Sequence, residues 1–415
     1  MRPLTARGGI FYGWIVIAAA FSVTFLGFGS AYTFGAFFAS FEHAFSASQG
    51  SVSLVFSLAG FLYFSLGGLS GPLADRLGAR RLAVAGMTLT GLGLILAGCA
   101  RTLTEVYLAY GLGVGLGIGI AYVPVLGVVQ RWFVRRRAFA SGIAVSGIGV
   151  GTLVMPPLAT MLIAALGWRD AYLTLGGLVV VIGASVSLFI VDSPHEMHLN
   201  PDGDSQDKAM TTSARSGMSV REAVWTGQFV GLYLACLACA FGVFVPFVQL
   251  VPYAIGHGLS PAAAALLVGT IGIGSTAGRF LLGGIADRLG RRAFLVATYL
   301  GIAVSMLIWS VCVTFPSLAI FALIFGLFYG GWVAILPAIV ADCFGVRNVG
   351  GIIGVLYTSV AFGTLIGPSA AGFIFDARHS YTLPILTSAA ACLLAAVISG
   401  LASRVAVPRI ERGQA

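Results

Sequence analysis

The feature of the sequence that most constrains its fold is a series of long apolar runs. A helix needs about 20 apolar residues to cross the hydrocarbon core of a bilayer. Twelve such runs follow one another between short polar segments, over residues 11–38, 51–71, 82–100, 105–129, 138–163, 170–191, 224–253, 262–283, 293–313, 317–341, 349–372 and 381–402. The sequence therefore predicts an all-α integral membrane protein with twelve transmembrane helices, called spans 1–12 below.

The basic residues lie mostly on one side of this arrangement. Nineteen Lys and Arg residues fall on the side that carries both termini, and three, Arg101, Arg169 and Arg378, fall on the other. Because positively charged loops remain in the cytoplasm, we predict a multi-pass protein of the cell (inner or plasma) membrane with both termini cytoplasmic. The net charge of +9 then reflects topology. We expect no nucleic-acid partner, because the basic residues form short clusters between apolar runs.

The longest polar segment separates six spans from six. Residues 192–222 are rich in Ser, Pro, Gly and charged residues, a composition typical of linkers, and they end in the capping-box pattern Ser219-Val-Arg-Glu222. We predict an N-terminal six-helix bundle over residues 1–191, a cytoplasmic linker over 192–222 and a C-terminal six-helix bundle over 223–415.

The two halves also resemble each other in sequence. GPLADRLGARR after span 2 matches GGIADRLGRR after span 8, and the aspartates of these motifs, Asp75 and Asp287, are 212 positions apart. GTLVMPP in span 5 matches GTLIGPS in span 11 at the same offset. Two matches at one offset indicate a duplicated six-helix unit. Such halves commonly face each other around a cavity near the middle of the membrane.

Arg279 is the one basic residue that this topology does not place near a membrane surface. It precedes Asp287 by eight residues, which at 1.5 Å per residue is about 12 Å from the end of span 8. The position 212 residues earlier is Gly67, so the arginine is not part of the repeat. A cation at this depth is costly and is kept for a function or a specific partner.

The acidic residues do not supply that partner. None of the fourteen lies deep in a predicted span. We therefore predict that Arg279 binds a transported anion, because a guanidinium group binds a carboxylate through two parallel hydrogen bonds. A single positive charge favours a monocarboxylate over a dicarboxylate. The alternative is that Arg279 binds the backbone carbonyls of a neighbouring helix.

Several of these motifs resemble one transporter family. The loop after span 2, repeated more loosely after span 8, resembles the loop signature of the major facilitator superfamily. YGW at 12–14, RWFVRRRAFASGIAVSG at 131–147 and the lone arginine of span 8 look like the monocarboxylate transporter family and its relatives among the oxalate/formate exchangers. Members often carry an aspartate, implicated in proton coupling, where this chain has Ser275. This chain also lacks the lysines that some members carry in span 1 or span 11.

The resemblance implies a secondary active transporter for small monocarboxylates such as lactate or pyruvate, working by alternating access, with proton symport left open. It implies that Arg279 pairs with the substrate carboxylate and that spans 1, 4, 7 and 10 line the cavity. The further candidate lining residues can donate hydrogen bonds while closing an apolar wall, and they are Tyr32, Tyr122, Gln249, Tyr253, Tyr329 and Trp332, with Tyr357 from span 11. For conformational gating we expect charge contacts, made and broken as the halves rock, by Asp75, Arg76, Arg80, Asp287 and Arg288.

Other functions fit the sequence less well. An organic-anion exchanger of the oxalate/formate type and an exporter of larger amphipathic compounds remain alternatives, although the acid expected within spans 1–5 of such an exporter is absent. No enzyme is expected, because no nucleophile, base or metal cluster occurs near a membrane surface. The six cysteines lie in or beside apolar runs, so we expect no metal and no cofactor. We expect the protein to function as a monomer.

Overall fold

The chain is almost wholly helical, as the sequence predicts. The computed structural model describes residues 11–133, 136–203, 217–345 and 348–402, without the side chains of Asp75, Arg137, Ala138 and residues 283–288. Within these ranges, eleven helices are long and apolar enough to cross a membrane. A twelfth span consists of two helices that meet at an angle of 44°.

The spans have the following bounds in the structure. In the N-terminal half, span 1 is Tyr12–Tyr32 with Phe34–Phe45, span 2 is Gln49–Ser65 with Gly67–Leu77, and span 3 is Ala79–Cys99. Span 4 is Leu103–Val106 with the π-helical Tyr107–Val114 and Gly115–Trp132, span 5 is Arg137–Leu166, and span 6 is Trp168–Leu178 with the π-helical Val179–Gly183 and Ala184–Ser187. In the C-terminal half, span 7 is Gly227–Val243 with Val245–Gly256, span 8 is Pro261–Leu289, and span 9 is Arg291–Trp309. Span 10 is Phe315–Phe344, span 11 is Val349–Arg378, and span 12 is Thr382–Ala402. Between the halves lie 3₁₀ turns at Pro194–Met197 and Pro201–Gly203 and a short helix at Val220–Val224.

Local sequence explains where several helices begin. The Ser48 and Ser260 side chains accept hydrogen bonds from the third residue of spans 2 and 8, which satisfies backbone N–H groups that the helix cannot pair. The predicted capping box is confirmed, because the Ser219 hydroxyl accepts from the Glu222 N–H at 3.2 Å and the Glu222 carboxylate accepts from the Ser219 N–H at 2.8 Å.

The sequence repeat is visible in the backbone. Span 5 covers Arg137–Leu166 and span 11 covers Val349–Arg378, so the two helices begin 212 positions apart and also end 212 positions apart. Positive φ angles recur in pairs at this offset, in Ser46 and Gly258, Gly78 and Gly290, and Gly167 and His379. The six-helix unit is therefore duplicated in the structure as well as in the sequence.

The two halves contact each other mainly through spans 2 and 11 and through spans 5 and 8. Glycines lie where the backbones approach: a Cβ atom on Gly354 would clash with Gly68, one on Gly372 with Gly50, and one on Gly272 with Gly149. Small residues at such positions permit close helix packing in a membrane, where no hydrophobic force drives helices together. We call the membrane face near residues 192–203 and 217–222 the linker face and the other the opposite face.

Candidate functional site

A cavity lies between the two halves. The N-terminal half contributes Phe28, Tyr32, Phe64, Tyr122 and Ile148, and the C-terminal half contributes Phe244, Arg279, Tyr329, Trp332, Val333, Leu336, Tyr357 and Val360. Arg279 is the single charged residue of this lining. The cavity is therefore an apolar and aromatic space that contains one positive charge.

Arg279 is held in the cavity by packing and by one hydrogen bond. The preceding residue is Gly278, where a Cβ atom would clash with the Leu327 backbone, so spans 8 and 10 pack closely here. The Arg279 Nη1 donates to the Val145 carbonyl oxygen of span 5 at 2.6 Å. This hydrogen bond joins the two halves, and it shows that Arg279 does bind the backbone of a neighbouring helix through one of its three nitrogens.

The other two guanidinium nitrogens have no such partner. Nε and Nη2 of Arg279 are buried and make no hydrogen bond to any described residue. These two N–H groups form one edge of the planar guanidinium, the arrangement that matches the two oxygens of a carboxylate. Among the described residues, no Asp or Glu forms an ion pair with Arg279. Arg279, which lines the cavity, therefore has one guanidinium edge that is unpaired among the described residues.

Six of the eight predicted substrate-binding residues line this cavity: Arg279, Tyr32, Tyr122, Tyr329, Trp332 and Tyr357. Tyr32 and Tyr329 form a hydrogen bond between their hydroxyl groups at 3.2 Å. The hydroxyls of Tyr122 and Tyr357 form no hydrogen bond with another described residue. Either hydroxyl could therefore donate to a ligand oxygen.

Gln249 and Tyr253 lie elsewhere. The Gln249 Nε2 donates to the Ser53 hydroxyl of span 2 at 2.9 Å, and the Tyr253 hydroxyl donates to the Cys312 carbonyl at 2.8 Å. Both residues follow Phe244, where span 7 is interrupted between its two helices. They therefore lie past the cavity, towards the opposite face.

The sequence did not indicate the apolar lining residues. Phe28, Phe64 and Phe244 contribute aromatic rings, and Ile148, Val333, Leu336 and Val360 contribute aliphatic side chains. No sequence signal distinguishes a cavity-facing apolar residue from one that faces lipid or a helix, because all three environments favour the same side chains.

Ser275 is not among the residues that line the cavity. Its side chain is buried and its hydroxyl has no hydrogen-bond partner among the described residues. Its backbone lies against Gly330 of span 10, where a Cβ atom would clash. The position is therefore at the contact between spans 8 and 10.

Only part of the predicted gating set can be placed. The Asp75, Asp287 and Arg288 side chains lie outside the described residues, and Arg76 is exposed. The Arg80 Nε donates to the Ile190 carbonyl at 2.6 Å, which is a contact within the N-terminal half. Gating by these residues therefore stays a prediction.

Contacts between the halves are well defined near the opposite face. The Asp376 carboxylate, at the end of span 11, accepts hydrogen bonds from the N–H groups of Gln49 at 2.9 Å and Gly50 at 2.8 Å, at the start of span 2. The Tyr381 hydroxyl donates to the Gln49 side chain at 3.0 Å. These bonds and the Gln249–Ser53 bond join the two halves on this side of the cavity.

Known proteins match the chain over almost its whole length. The family model described as Major Facilitator Superfamily matches residues 20–285 and 230–414. Monocarboxylate transporter 12 of Rattus norvegicus is 29% identical over 417 residues, covering 94% of this chain and 85% of that protein. Monocarboxylate transporter 11 of Homo sapiens is 28% identical over 413 residues, covering 96% of this chain and 83% of that protein.

The fold also matches a solved transporter structure. A bacterial homologue of the human lysosomal transporter Spinster, crystallised in an inward-facing and unoccupied conformation, superposes with a TM-score of 0.74, covering 96% of this chain and 98% of that chain. Its sequence identity of 16% makes this a likeness of fold alone. Because the family model spans both halves, this chain is a membrane transporter rather than an enzyme, and it belongs to the major facilitator superfamily.

Proposed function

We propose that the protein is a secondary active transporter that moves small monocarboxylates, of the lactate and pyruvate type, across the cell membrane. The observation that carries the proposal is the buried, unpaired Nε and Nη2 edge of Arg279 at the cavity. The substrate carboxylate binds this edge and accepts further hydrogen bonds from Tyr122 or Tyr357. The likeness to monocarboxylate transporters 11 and 12 supports the same substrate class.

The charge of the cavity favours one carboxylate over two. A second carboxylate would lie in an apolar space with no cation among the described lining residues to pair with it. Burying an unpaired charge costs several kcal/mol even after relaxation. This argument separates the proposal from its nearest alternative, an organic-anion exchanger that accepts oxalate.

Transport proceeds by alternating access. The bundles formed by residues 1–191 and 223–415 rock against each other, and the linker of residues 192–222 lies in the cytoplasm with both termini. Opening the opposite face requires the Asp376 bonds to Gln49 and Gly50 to break. Opening the linker face separates the Arg279 side chain from Val145, so the arginine that binds substrate also takes part in closing the cavity.

Any coupling to protons takes place away from Arg279. Among the described residues, no carboxylate or histidine pairs with its guanidinium. Glu42, His43, Asp376 and His379 instead lie at the ends of spans 1 and 11 on the opposite face. A proton that accompanies the substrate is carried by the substrate itself or by such a group, and without it the protein works as a uniporter or exchanger.

Uptake into proteoliposomes tests the proposal. Labelled lactate, pyruvate, acetate and oxalate are compared with and without a pH gradient and with and without unlabelled acid inside. We expect saturable pyruvate and lactate uptake that exceeds oxalate uptake and needs no internal acid. Uptake that occurs only when the liposomes contain oxalate or formate would favour the exchanger. If no acid is taken up faster than by protein-free liposomes, the proposal is refuted.

A further inference from the structure

A continuous series of aromatic rings forms a large part of the cavity wall. The series, here called the aromatic belt, consists of Tyr122, Phe28, Tyr32, Tyr329, Phe244, Phe64 and Tyr357. Tyr122 and Phe28 are in edge contact with ring centroids 5.0 Å apart, and Phe64 contacts Phe244 at 5.5 Å. The belt draws on spans from both halves, so it is a property of the assembled cavity.

Neighbouring rings link the whole belt. Phe28 contacts Tyr32 at 6.2 Å between centroids, Tyr329 contacts Phe244 at 6.3 Å, and Phe64 meets Tyr357 edge-on at 6.0 Å. The hydroxyl bond between Tyr32 and Tyr329 closes the remaining gap. Rings fixed by such contacts form a rigid wall that a flat ligand can contact without reordering many side chains.

Trp332 extends this wall without adding a polar group. Its Nε1 donates to the Tyr299 hydroxyl at 3.3 Å, and Tyr299 is fully buried and is not among the residues of the cavity wall. Trp332 therefore presents its ring surface to the cavity. The described polar groups left without a partner in the lining are the Arg279 edge and the hydroxyls of Tyr122 and Tyr357.

A lactate-sized acid has little apolar surface to place against this belt. Its carboxylate binds Arg279, but its methyl group contacts only a small part of the belt, and its hydroxyl needs a partner. An aryl side chain instead buries apolar area and meets the belt in edge or offset contacts, both of which favour binding. We propose that the cavity selects aryl-substituted monocarboxylates over short aliphatic ones. This inference rests on the proposed function, because it takes Arg279 as the carboxylate ligand.

A matched series of acids distinguishes the effect of aromatic contact on affinity from the effect of the size of the apolar group. Propionate, 3-cyclohexylpropionate and 3-phenylpropionate compete with labelled pyruvate and labelled phenylpyruvate in proteoliposomes. Protein-free and Arg279→Ala liposomes give the background from passive permeation. We expect the half-inhibitory concentration of 3-phenylpropionate to be at least about tenfold below that of propionate, with the cyclohexyl acid between them. Phenylpyruvate should likewise have a lower KM than pyruvate.

Variants of the belt test the same claim independently. We expect Phe64→Leu and Phe244→Leu to reduce the ratio of phenylpyruvate to pyruvate kcat/KM several-fold, because each removes one ring from the wall. Phe139→Leu is the matched control, because Phe139 is 56% exposed and lies outside the cavity lining. The ratio should not change in this control.

The possible failures are distinguishable. Saturable pyruvate uptake with no preference for phenyl over propionate, or with the cyclohexyl acid equal to or better than the phenyl acid, would overturn the aryl inference and leave the proposed function intact. An unchanged ratio in both belt variants would also overturn it. If no acid shows uptake above background, the proposed function fails and the inference fails with it.

Discussion

The Arg279 guanidinium donates a hydrogen bond of 2.6 Å to the Val145 carbonyl oxygen, and this bond connects span 8 of the C-terminal half to span 5 of the N-terminal half. It holds the guanidinium at Nη1 and leaves the Nε and Nη2 edge unpaired among the described residues. A preorganised donor pair of this kind loses little entropy when a carboxylate binds. In the proposed function, substrate binding and contact between the halves therefore share one side chain.

The charge balance of the cavity predicts discrimination between acids of different charge. We expect pyruvate to compete for uptake at least about tenfold better than oxalate or malonate, because the second carboxylate of these acids would be buried without a cation. Competition curves against labelled pyruvate at fixed ionic strength measure this directly. Equal inhibition by pyruvate and oxalate would contradict the single-charge argument.

The free tyrosine hydroxyls predict a smaller effect. Tyr122→Phe and Tyr357→Phe each remove one hydroxyl from the cavity, so we expect KM for pyruvate to rise about three- to tenfold with the fold unchanged, the range of one neutral hydrogen bond. Tyr253→Phe is the matched control, because its hydroxyl is bound to Cys312 outside the cavity. A KM that is unchanged in both cavity variants would remove these hydroxyls from the binding site.

The Asp376 contact predicts a change in amide protection. Because Asp376 accepts from the Gln49 and Gly50 N–H groups, Asp376→Ala should speed hydrogen exchange at the start of span 2. Exchange by mass spectrometry on peptides covering residues 46–56 measures it. Asp342→Ala is the control, because Asp342 pairs with Arg291 of span 9, within the C-terminal half. Unaltered exchange in Asp376→Ala would show that opening of the opposite face does not depend on this carboxylate.

Proton coupling can be tested through Ser275. We expect pyruvate uptake by the native protein to persist without a pH gradient, since no described carboxylate or histidine pairs with Arg279. Ser275→Asp places a carboxylate one helical turn from the arginine, and we expect uptake to become dependent on the gradient. The measurement is pyruvate-driven proton movement in liposomes.

One outcome would contradict an assignment of the proton to the histidines of the opposite face. The native protein would move one proton per pyruvate against a gradient, and this ratio would be unchanged after His43, His257 and His379 are all replaced by Gln. Glu42, Asp376 or the substrate itself would then have to carry the proton.

The fold could be predicted from the sequence because its determinants are long and repeated. Twenty-residue apolar runs have one plausible structure in a bilayer, and the 212-residue offset of Asp75 and Asp287 relates the halves. The exceptional position of Arg279 was also predictable, because a charge at mid-membrane depth is rare.

The remainder of the site depends on geometry that the sequence does not encode locally. Gln249 was expected in the cavity, but span 7 is interrupted at Phe244, and the residue instead reaches Ser53 in the other half. Only the tyrosines of the aromatic belt could be recognised from the sequence, because their hydroxyl groups can bind a ligand. Phe28, Phe64 and Phe244 have no such group, and in the sequence they resemble any lipid-facing residue. Their place in the cavity wall follows from tertiary contacts alone.

The most direct test of the central claim is the uptake of labelled pyruvate by Arg279→Lys in proteoliposomes, compared with the native protein. Lysine keeps the positive charge but cannot present two parallel N–H groups to a carboxylate. We predict that kcat/KM falls at least about tenfold, with expression and thermal stability near those of the native protein, while the control Arg101→Lys on the opposite face retains native uptake. Native kcat/KM in Arg279→Lys, and saturable uptake that survives in Arg279→Ala, would contradict the account.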